Sequence, residues 1–95
     1  MTLRFTLRQL EYFVAVGDLG SIALAAERVN VSSPSISTAI AQLETEFGLP
    51  LFVRKHAQGL ALTQSGRQLL AQAQDILAQA EALLFLTPCV ALVGR

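Results

Sequence analysis

Hydrophobic residues recur at the three- and four-residue spacing of amphipathic helices in four separate segments of the chain. The first stripe is preceded by Thr6 and Gln9, which have the spacing of a capping box, and it ends at Gly17. The second stripe begins after Ser21, a good N-cap residue. These features predict two short helices whose apolar positions are Leu7, Leu10, Phe13, Val14, Ile22, Ala25, Ala26 and Val29.

A third amphipathic segment follows a tight connection over residues 29–33. Ser33 and Pro34 are predicted to be its N-cap and first helical residue, because the missing N–H of proline costs nothing there. Gly48 and Pro50 are predicted to end the helix. Its buried stripe consists of Ile36, Ile40, Leu43 and Phe47.

Two short apolar runs, 51–53 and 60–62, enclose a polar segment that ends in glycine. This pattern predicts a small β-hairpin. Cations concentrate in this part of the chain, where a wing on DNA would need them, although a solvated hairpin tip would carry them equally well. The residues concerned are Arg54, Lys55 and His56.

Thr63 or Ser65 can cap a fourth, long helix over residues 64–86. A domain of about sixty residues cannot cover the whole apolar stripe of this helix, so a symmetric dimer is expected to bury it. A minority alternative is that the helix folds back on its own domain. The predicted dimerisation residues are Leu69, Leu70, Ala73, Ile76, Leu77, Ala80, Leu83 and Leu84.

The element order predicts a mainly α fold, a winged helix-turn-helix of three helices and a β-hairpin wing, followed by a dimerisation helix. The predicted boundaries are 6–63 for the winged domain, 64–86 for the linker and dimerisation helix, and 87–95 for a tail of unclear structure.

In a helix-turn-helix, the third helix enters the major groove of DNA. The outward face of this helix carries short hydrogen-bonding groups suited to phosphates and base edges: Ser33, Ser35, Ser37, Thr38 and Gln42. Taken singly, this pattern fits a capped helix with a solvated face equally well.

The charge balance gives no support to DNA binding, because seven basic residues offset seven acidic ones. An enzyme is the interpretation that the sequence favours least. The single histidine, His56, and the single cysteine, Cys89, form no nucleophile–base pair, disulfide or metal cage. Glu44 and Glu46 do not face each other on a helix, and Glu44 is expected to pair with Arg28 or Arg8. No cofactor is expected.

No signal peptide and no apolar run of membrane-spanning length are visible in the sequence. We therefore expect a cytoplasmic protein with no membrane partner.

The stretch from Leu7 to Gly66 resembles, in order and almost without gaps, the N-terminal domain of LysR-type transcriptional regulators. The matching segments are Leu10-Glu11-Tyr12-Phe13-Val14-Ala15-Val16, Gly20-Ser21, Ala25-Ala26-Glu27-Arg28, Val31-Ser32-Ser33-Pro34-Ser35-Ile36-Ser37, Ile40 with Leu43-Glu44, Phe47-Gly48-Leu49-Pro50-Leu51-Phe52-Val53-Arg54, Leu62-Thr63 and Ser65-Gly66.

This resemblance implies a sequence-specific regulator that binds double-stranded DNA as a homodimer through an antiparallel pair of long helices. A tetramer is an option for a full-length form, and a small-molecule effector would need a further domain outside this chain. The resemblance also implies that Arg54 contacts the phosphate backbone beside the wing and that Ser21 helps to grip a phosphate. The recognition helix would begin with Ser33, Pro34, Ser35, Ser37 and Thr38.

The chain departs from the family pattern in two ways. The recognition helix lacks the Arg and Lys residues that often read guanine, which predicts low affinity or more reliance on DNA shape. The chain also stops at Arg95, where family members continue into an effector-binding domain, so it is a fragment or a short protein. A protein-interaction module that no longer binds DNA and heterodimerises with full-length relatives is therefore the alternative function.

Overall fold

The computed structural model describes the backbone of residues 4–55 and 59–93, and the side chains up to residue 84. Its element order is the predicted one, which confirms the predicted fold class. The two strands pair antiparallel, with Phe52 opposite Leu62 and Lys55 opposite Gly59. The elements are α1 (Leu7–Leu19), α2 (Ile22–Val29), α3 (Ser33–Phe47), β1 (Phe52–Lys55), β2 (Gly59–Leu62) and α4 (Gln64–Val93).

Helix α1 begins with the predicted capping box. The Thr6 hydroxyl accepts from the Gln9 backbone N–H at 3.1 Å, and the Gln9 side-chain oxygen accepts from the Thr6 N–H at 2.9 Å. The helix does not end at Gly17, as the stripe predicted, but continues to Leu19. Gly20 ends it because this residue has the left-handed φ of 68° that favours glycine. Gly17 instead gives Leu70 of α4 room to approach the α1 backbone.

The N-cap of α3 is Ser32, and the prediction of Ser33 was wrong by one residue. The Ser32 hydroxyl accepts from the Ser35 N–H at 3.3 Å, so Ser33 already has helical geometry. Pro34 consequently lies in the first turn, where the backbone donors are free and proline loses nothing. The cap at Ser21 and the terminator at Gly48 are both confirmed.

The core lies where α1, α2 and α3 meet, and α4 closes one side of it. Phe13, Ile36, Leu43 and Leu51 are fully buried, and the ring of Phe13 packs edge-on against that of Phe52. Ala25 and Ala26 are buried as well, as expected for helices in close contact. The apolar stripes of α2 and α3 therefore face inward as predicted.

Glu44 forms neither of the predicted salt bridges. Its side-chain oxygen Oε2 accepts from the backbone N–H of Leu51 at 2.8 Å and from that of Phe52 at 3.4 Å. Arg28 pairs with Asp18 instead, at 3.3 Å. The carboxylate is placed at the end of α3, where the chain turns into β1, so it satisfies backbone donors at the start of the hairpin.

Thr63, and not Ser65, caps α4. Its hydroxyl accepts from the Gly66 N–H at 2.9 Å and donates to the Pro50 carbonyl at 2.7 Å. A Cβ on Gly66 would collide with the carbonyl oxygen of Leu51. The first turn of α4 is therefore fixed directly to the chain that leads into β1.

Helix α4 is longer than predicted and reaches Val93, whereas the sequence pattern ended it at Leu86. Pro88 lies inside this helix, where a proline removes one backbone donor and crowds the carbonyl four residues before it, so the local pattern alone disfavours a helix here. The segment 87–93, expected to be a tail of unclear structure, is helical.

Along the described part of the α4 stripe, one side packs against the domain, whereas Ile76 and Leu84 stay exposed. Ala73 is 2% exposed, so this predicted dimerisation residue belongs to the core of its own chain. Three further ones, Leu69, Leu70 and Leu77, pack against that core. By contrast, Leu84 is 71% exposed. The minority alternative of a folded-back helix thus describes α4 as far as Leu77 but does not account for Leu84.

Candidate nucleic-acid interface

The outward face of α3 presents a polar surface on a rigid support. Buried residues on the opposite face fix the helix against α1 and α2, and the Ser32 cap fixes its first turn. Ser35 shares a hydrogen bond of 2.8 Å with the Ser32 hydroxyl, so its side chain is partly engaged in the cap. The predicted site residues of this helix are all exposed: Ser33, Pro34, Ser35, Ser37, Thr38 and Gln42.

Two shallow concavities border this face of α3. One, of about 430 Å³, lies between α3 and the first turns of α1 and includes Arg8 and Gln9. The other, of about 570 Å³, includes Arg4. Thr38 and Gln42 line both concavities and therefore form the ridge between them.

Arg4 and Arg8 bring positive charge beside a helix that has no basic residue of its own. Sequence reasoning missed both residues as site candidates and offered Arg8 only as a partner for Glu44. The capping box does place Arg8 in the first turn of α1. Its position next to α3 depends on how the two helices pack, which no local pattern reports.

A side-chain hydrogen bond joins α1 directly to α3. The Gln9 amide nitrogen donates to the Gln42 amide oxygen, while the Gln9 oxygen remains engaged in the capping box. Gln9 is thus a further residue of the site that the sequence did not identify. Its only visible signal was its place in the cap.

The hairpin presents Arg54 and Lys55 as exposed side chains on β1, and His56 lies outside the described residues. The Leu60 N–H donates to the Gly20 carbonyl at 3.0 Å. This bond fixes the hairpin against the turn between α1 and α2, next to Ser21. Ser21 is half-buried, and its hydroxyl accepts from the Leu24 N–H at 3.2 Å.

Among the side chains that the structure describes, in residues 4–55 and 59–84, no group of three His, Cys, Asp or Glu is placed to hold a metal ion. None of the helices in that part of the chain combines the length and hydropathy needed to cross a membrane.

The fold is that of a winged helix-turn-helix domain. It has three helices, of which the third is capped and polar on its outer face, and an antiparallel hairpin. Residues 7–67 match the family model of bacterial regulatory helix-turn-helix proteins, lysR family. The chain therefore belongs to the LysR family.

Known regulators resemble the chain in sequence and in structure. The HTH-type transcriptional regulator TcbR of Pseudomonas sp. strain P51 is 43% identical over 70 residues, which cover 74% of this chain and 24% of TcbR. The CbnR_DBD–DNA complex superposes with a TM-score of 0.83 at 37% identity, covering 92% of this chain and 99% of that one. For CbnR itself, a LysR family transcriptional regulator, the TM-score is 0.85 and 30% of its chain is covered. The chain thus spans about a quarter to a third of these full-length regulators.

Proposed function

We propose that this chain binds double-stranded DNA sequence-specifically and is the DNA-binding part of a transcriptional regulator. The observation that carries the proposal is the exposed, hydroxyl-rich face of α3, supported by a buried face and a capped first turn. The match to the CbnR_DBD–DNA complex over nearly the whole chain supports the same function. Such a function belongs in the cytoplasm, where a bacterial chromosome lies.

In this proposal α3 enters the major groove, and its exposed side chains contact base edges and phosphates. The positive dipole end of its first turn favours a phosphate near Ser33 and Pro34. Ser35, Ser37, Thr38 and Gln42 supply short hydrogen-bonding groups along the groove. These groups make directional hydrogen bonds but carry no charge. The electrostatic attraction for the DNA backbone must therefore come from other residues.

The hairpin and the first turn of α1 supply that attraction. Arg54 and Lys55, with His56, would lie along the phosphates or minor groove beside the wing, and Ser21 would contact a phosphate at the start of α2. Arg8 and Arg4 border the concavities on either side of the Thr38–Gln42 ridge, and Glu46 offsets the charge of Arg4 in the second of them. A neutral chain can therefore still present a cationic DNA-facing surface, because the position of the charges matters more than their sum.

We further propose that α4 pairs with α4 of a second copy. The helix borders a concavity of about 420 Å³, whose lining combines apolar residues, among them Leu77 and Leu84, with the charged Arg8, Glu11 and Glu81. On the other side, Ile76 borders a mostly apolar concavity of about 240 Å³ with Phe5 and Phe47. A second helix would fill such grooves, and a dimer would hold two α3 helices at a fixed half-site spacing. A tetramer, and an effector site on a further domain, would belong to a full-length form.

Selection from a pool of randomised DNA duplexes tests the proposal. We expect the chain to enrich one sequence with partial two-fold symmetry, and to bind it in fluorescence anisotropy with an affinity that falls as salt rises. Failure to enrich any sequence at low salt would refute sequence-specific binding. Co-purification with full-length relatives, together with absent DNA binding, would instead establish the alternative, an interaction module that heterodimerises with them.

A further inference from the structure

The amide of Gln42 on α3 has a defined orientation in this structure. Gln9 accounts for it, because both ends of the Gln9 amide are engaged. Its oxygen accepts from the Thr6 backbone N–H at 2.9 Å, and its nitrogen donates to the Gln42 oxygen. Gln42 is exposed and lies on the ridge between the two concavities beside α3.

Donor and acceptor chemistry fixes the direction of this short chain of bonds. A backbone N–H can only donate, so the group of Gln9 that faces Thr6 must be the amide oxygen. The Gln9 nitrogen is then left for Gln42, and the Gln42 group facing it must be an acceptor. The Gln42 oxygen therefore turns toward α1, and its NH₂ group is left to face outward.

We propose that Gln9 is a positioning residue that presents Gln42 to DNA as a hydrogen-bond donor. This inference rests on the proposed function, since it concerns the recognition face of α3. The target of Gln42 would be a DNA acceptor, either a base-edge atom such as guanine O6 or N7 or thymine O4, or a phosphate oxygen. A freely rotating glutamine can bind adenine in bidentate fashion, accepting from N6 and donating to N7. With one lone pair of its oxygen taken by Gln9 and that oxygen turned toward α1, Gln42 presents chiefly its NH₂ group to DNA.

The substitution Gln9→Glu tests this orientation without removing the cap. Glutamate at this position of a capping box still accepts from the Thr6 N–H. The introduced carboxylate has no donor for Gln42, so the Gln42 amide should turn, donate to that carboxylate and present its oxygen outward. Thr6→Ala is the matched control, because it removes the capping hydroxyl but leaves the Gln9–Gln42 bond in place.

Binding is measured by anisotropy on the duplex that the unmodified 95-residue chain selects from a randomised pool. We expect Gln9→Glu to weaken binding about tenfold, the size of one lost and mismatched hydrogen bond. Thr6→Ala should change binding less than about twofold because the Gln9–Gln42 bond stays in place, although the loss of the capping hydroxyl lowers the stability of the domain. Thermal unfolding of each variant verifies that the domain remains folded.

The added negative charge of Gln9→Glu is separated from its effect on Gln42 by a double-mutant cycle. In a Gln42→Ala background, Gln9→Glu should lose most of its effect, because the residue through which it acts is gone. Repeating the selection with Gln9→Glu distinguishes the two acceptor sources. A shift at one base pair toward adenine or cytosine indicates a base edge, and an unchanged profile with uniformly weaker binding indicates a phosphate.

Three results would overturn the proposal. The first is an equal loss from Gln9→Glu in both backgrounds, which would be a pure charge effect. The second is Gln42→Ala binding as tightly as the unmodified chain. The third is failure of the unmodified chain to select any sequence, which would overturn the proposed function as well, whereas the first two leave it intact.

Discussion

At the scale of single residues, individual side chains hold the hairpin to the helices. Glu44 stands out because one of its carboxylate oxygens accepts from two consecutive backbone donors, those of Leu51 and Phe52. Leu51 is fully buried. Its N–H is therefore poorly placed to find water if the carboxylate is removed.

We predict that Glu44→Ala destabilises the domain by about 1–3 kcal/mol, the cost of leaving buried backbone donors unpaired. The free energy of unfolding from urea denaturation measures this change. Glu44→Gln retains an acceptor oxygen and is the matched control, with an expected loss of about half or less of that amount. Equal losses for the two substitutions would show that the charge, and not the hydrogen bonding, is what matters.

A second prediction concerns Gly66 in the first turn of α4. A Cβ at this position collides with the Leu51 carbonyl oxygen, which is backbone and cannot move aside cheaply. Gly66→Ala should therefore destabilise the domain by about 1–3 kcal/mol, although alanine is the better helix former. The midpoint of thermal unfolding reports the change. Gln68→Ala, at an exposed position in the same helix, should stay within about 0.5 kcal/mol, and an equally stable Gly66→Ala would contradict the close approach.

Contacts between residues that are close in the sequence could be predicted, whereas contacts with residues outside the same helix could not. The capping box at Thr6 and Gln9 and the cap at Ser21 involve partners three residues away, so spacing alone identifies them. Glu44 was assigned the wrong partners because its hydrogen-bond donors lie beyond the end of its own helix. Charge suggested an arginine, whereas the fold supplies backbone N–H groups to the same carboxylate.

At the scale of elements, the helices and the hairpin were predictable, and their mutual placement was not. The apolar stripes of α1, α2 and α3 follow from local periodicity. The arrival of Arg4 and Arg8 beside α3 follows from the packing of α1 on α3, which joins residues more than thirty positions apart. The candidate site was therefore only partly predicted: its recognition helix and wing, but not the contribution of α1.

The wing gives a prediction at this scale. If Arg54 contacts a phosphate, Arg54→Ala should weaken DNA binding and lower the slope of log affinity against log salt by about 0.9 for each wing, which is about 1.8 for the proposed dimer. Anisotropy titrations of the selected duplex at several salt concentrations measure that slope. Arg28→Ala is the control, because its guanidinium is already paired with Asp18 at 3.3 Å. An Arg54→Ala slope identical to that of the unmodified chain would exclude a phosphate contact by this side chain.

For the whole molecule, α4 has two roles along its length. Its 30 residues extend about 45 Å at 1.5 Å per residue. One side of its described part completes the core through Ala73 and the leucines around it, and the other leaves Ile76 and Leu84 exposed. The sequence predicted that the stripe exceeds what one domain covers. It could not show where coverage ends, because that point depends on the length of α1 and its packing against α4.

Leu84 is exposed while other residues of α4 pack in the core, so a substitution at Leu84 can disrupt dimer formation without disrupting the folding of the domain. Leu84 is 71% exposed within one chain, so Leu84→Glu should leave the unfolding of the domain nearly unchanged. In the proposed dimer the same substitution buries a charge in an apolar interface, which costs several kcal/mol and should shift the protein to a monomer. Analytical ultracentrifugation at a series of concentrations measures the dimer dissociation constant.

The matched control is Ala78→Glu, which adds the same charge at an exposed position on a different side of α4. It should leave the dissociation constant within about threefold, as for a surface substitution. A monomeric Leu84→Glu protein should also bind the selected duplex with a reduced salt slope, since one α3 helix and one wing would then contact the DNA in place of two. A Leu84→Glu protein that remains as dimeric as the Ala78→Glu protein would place the contact between copies on another surface.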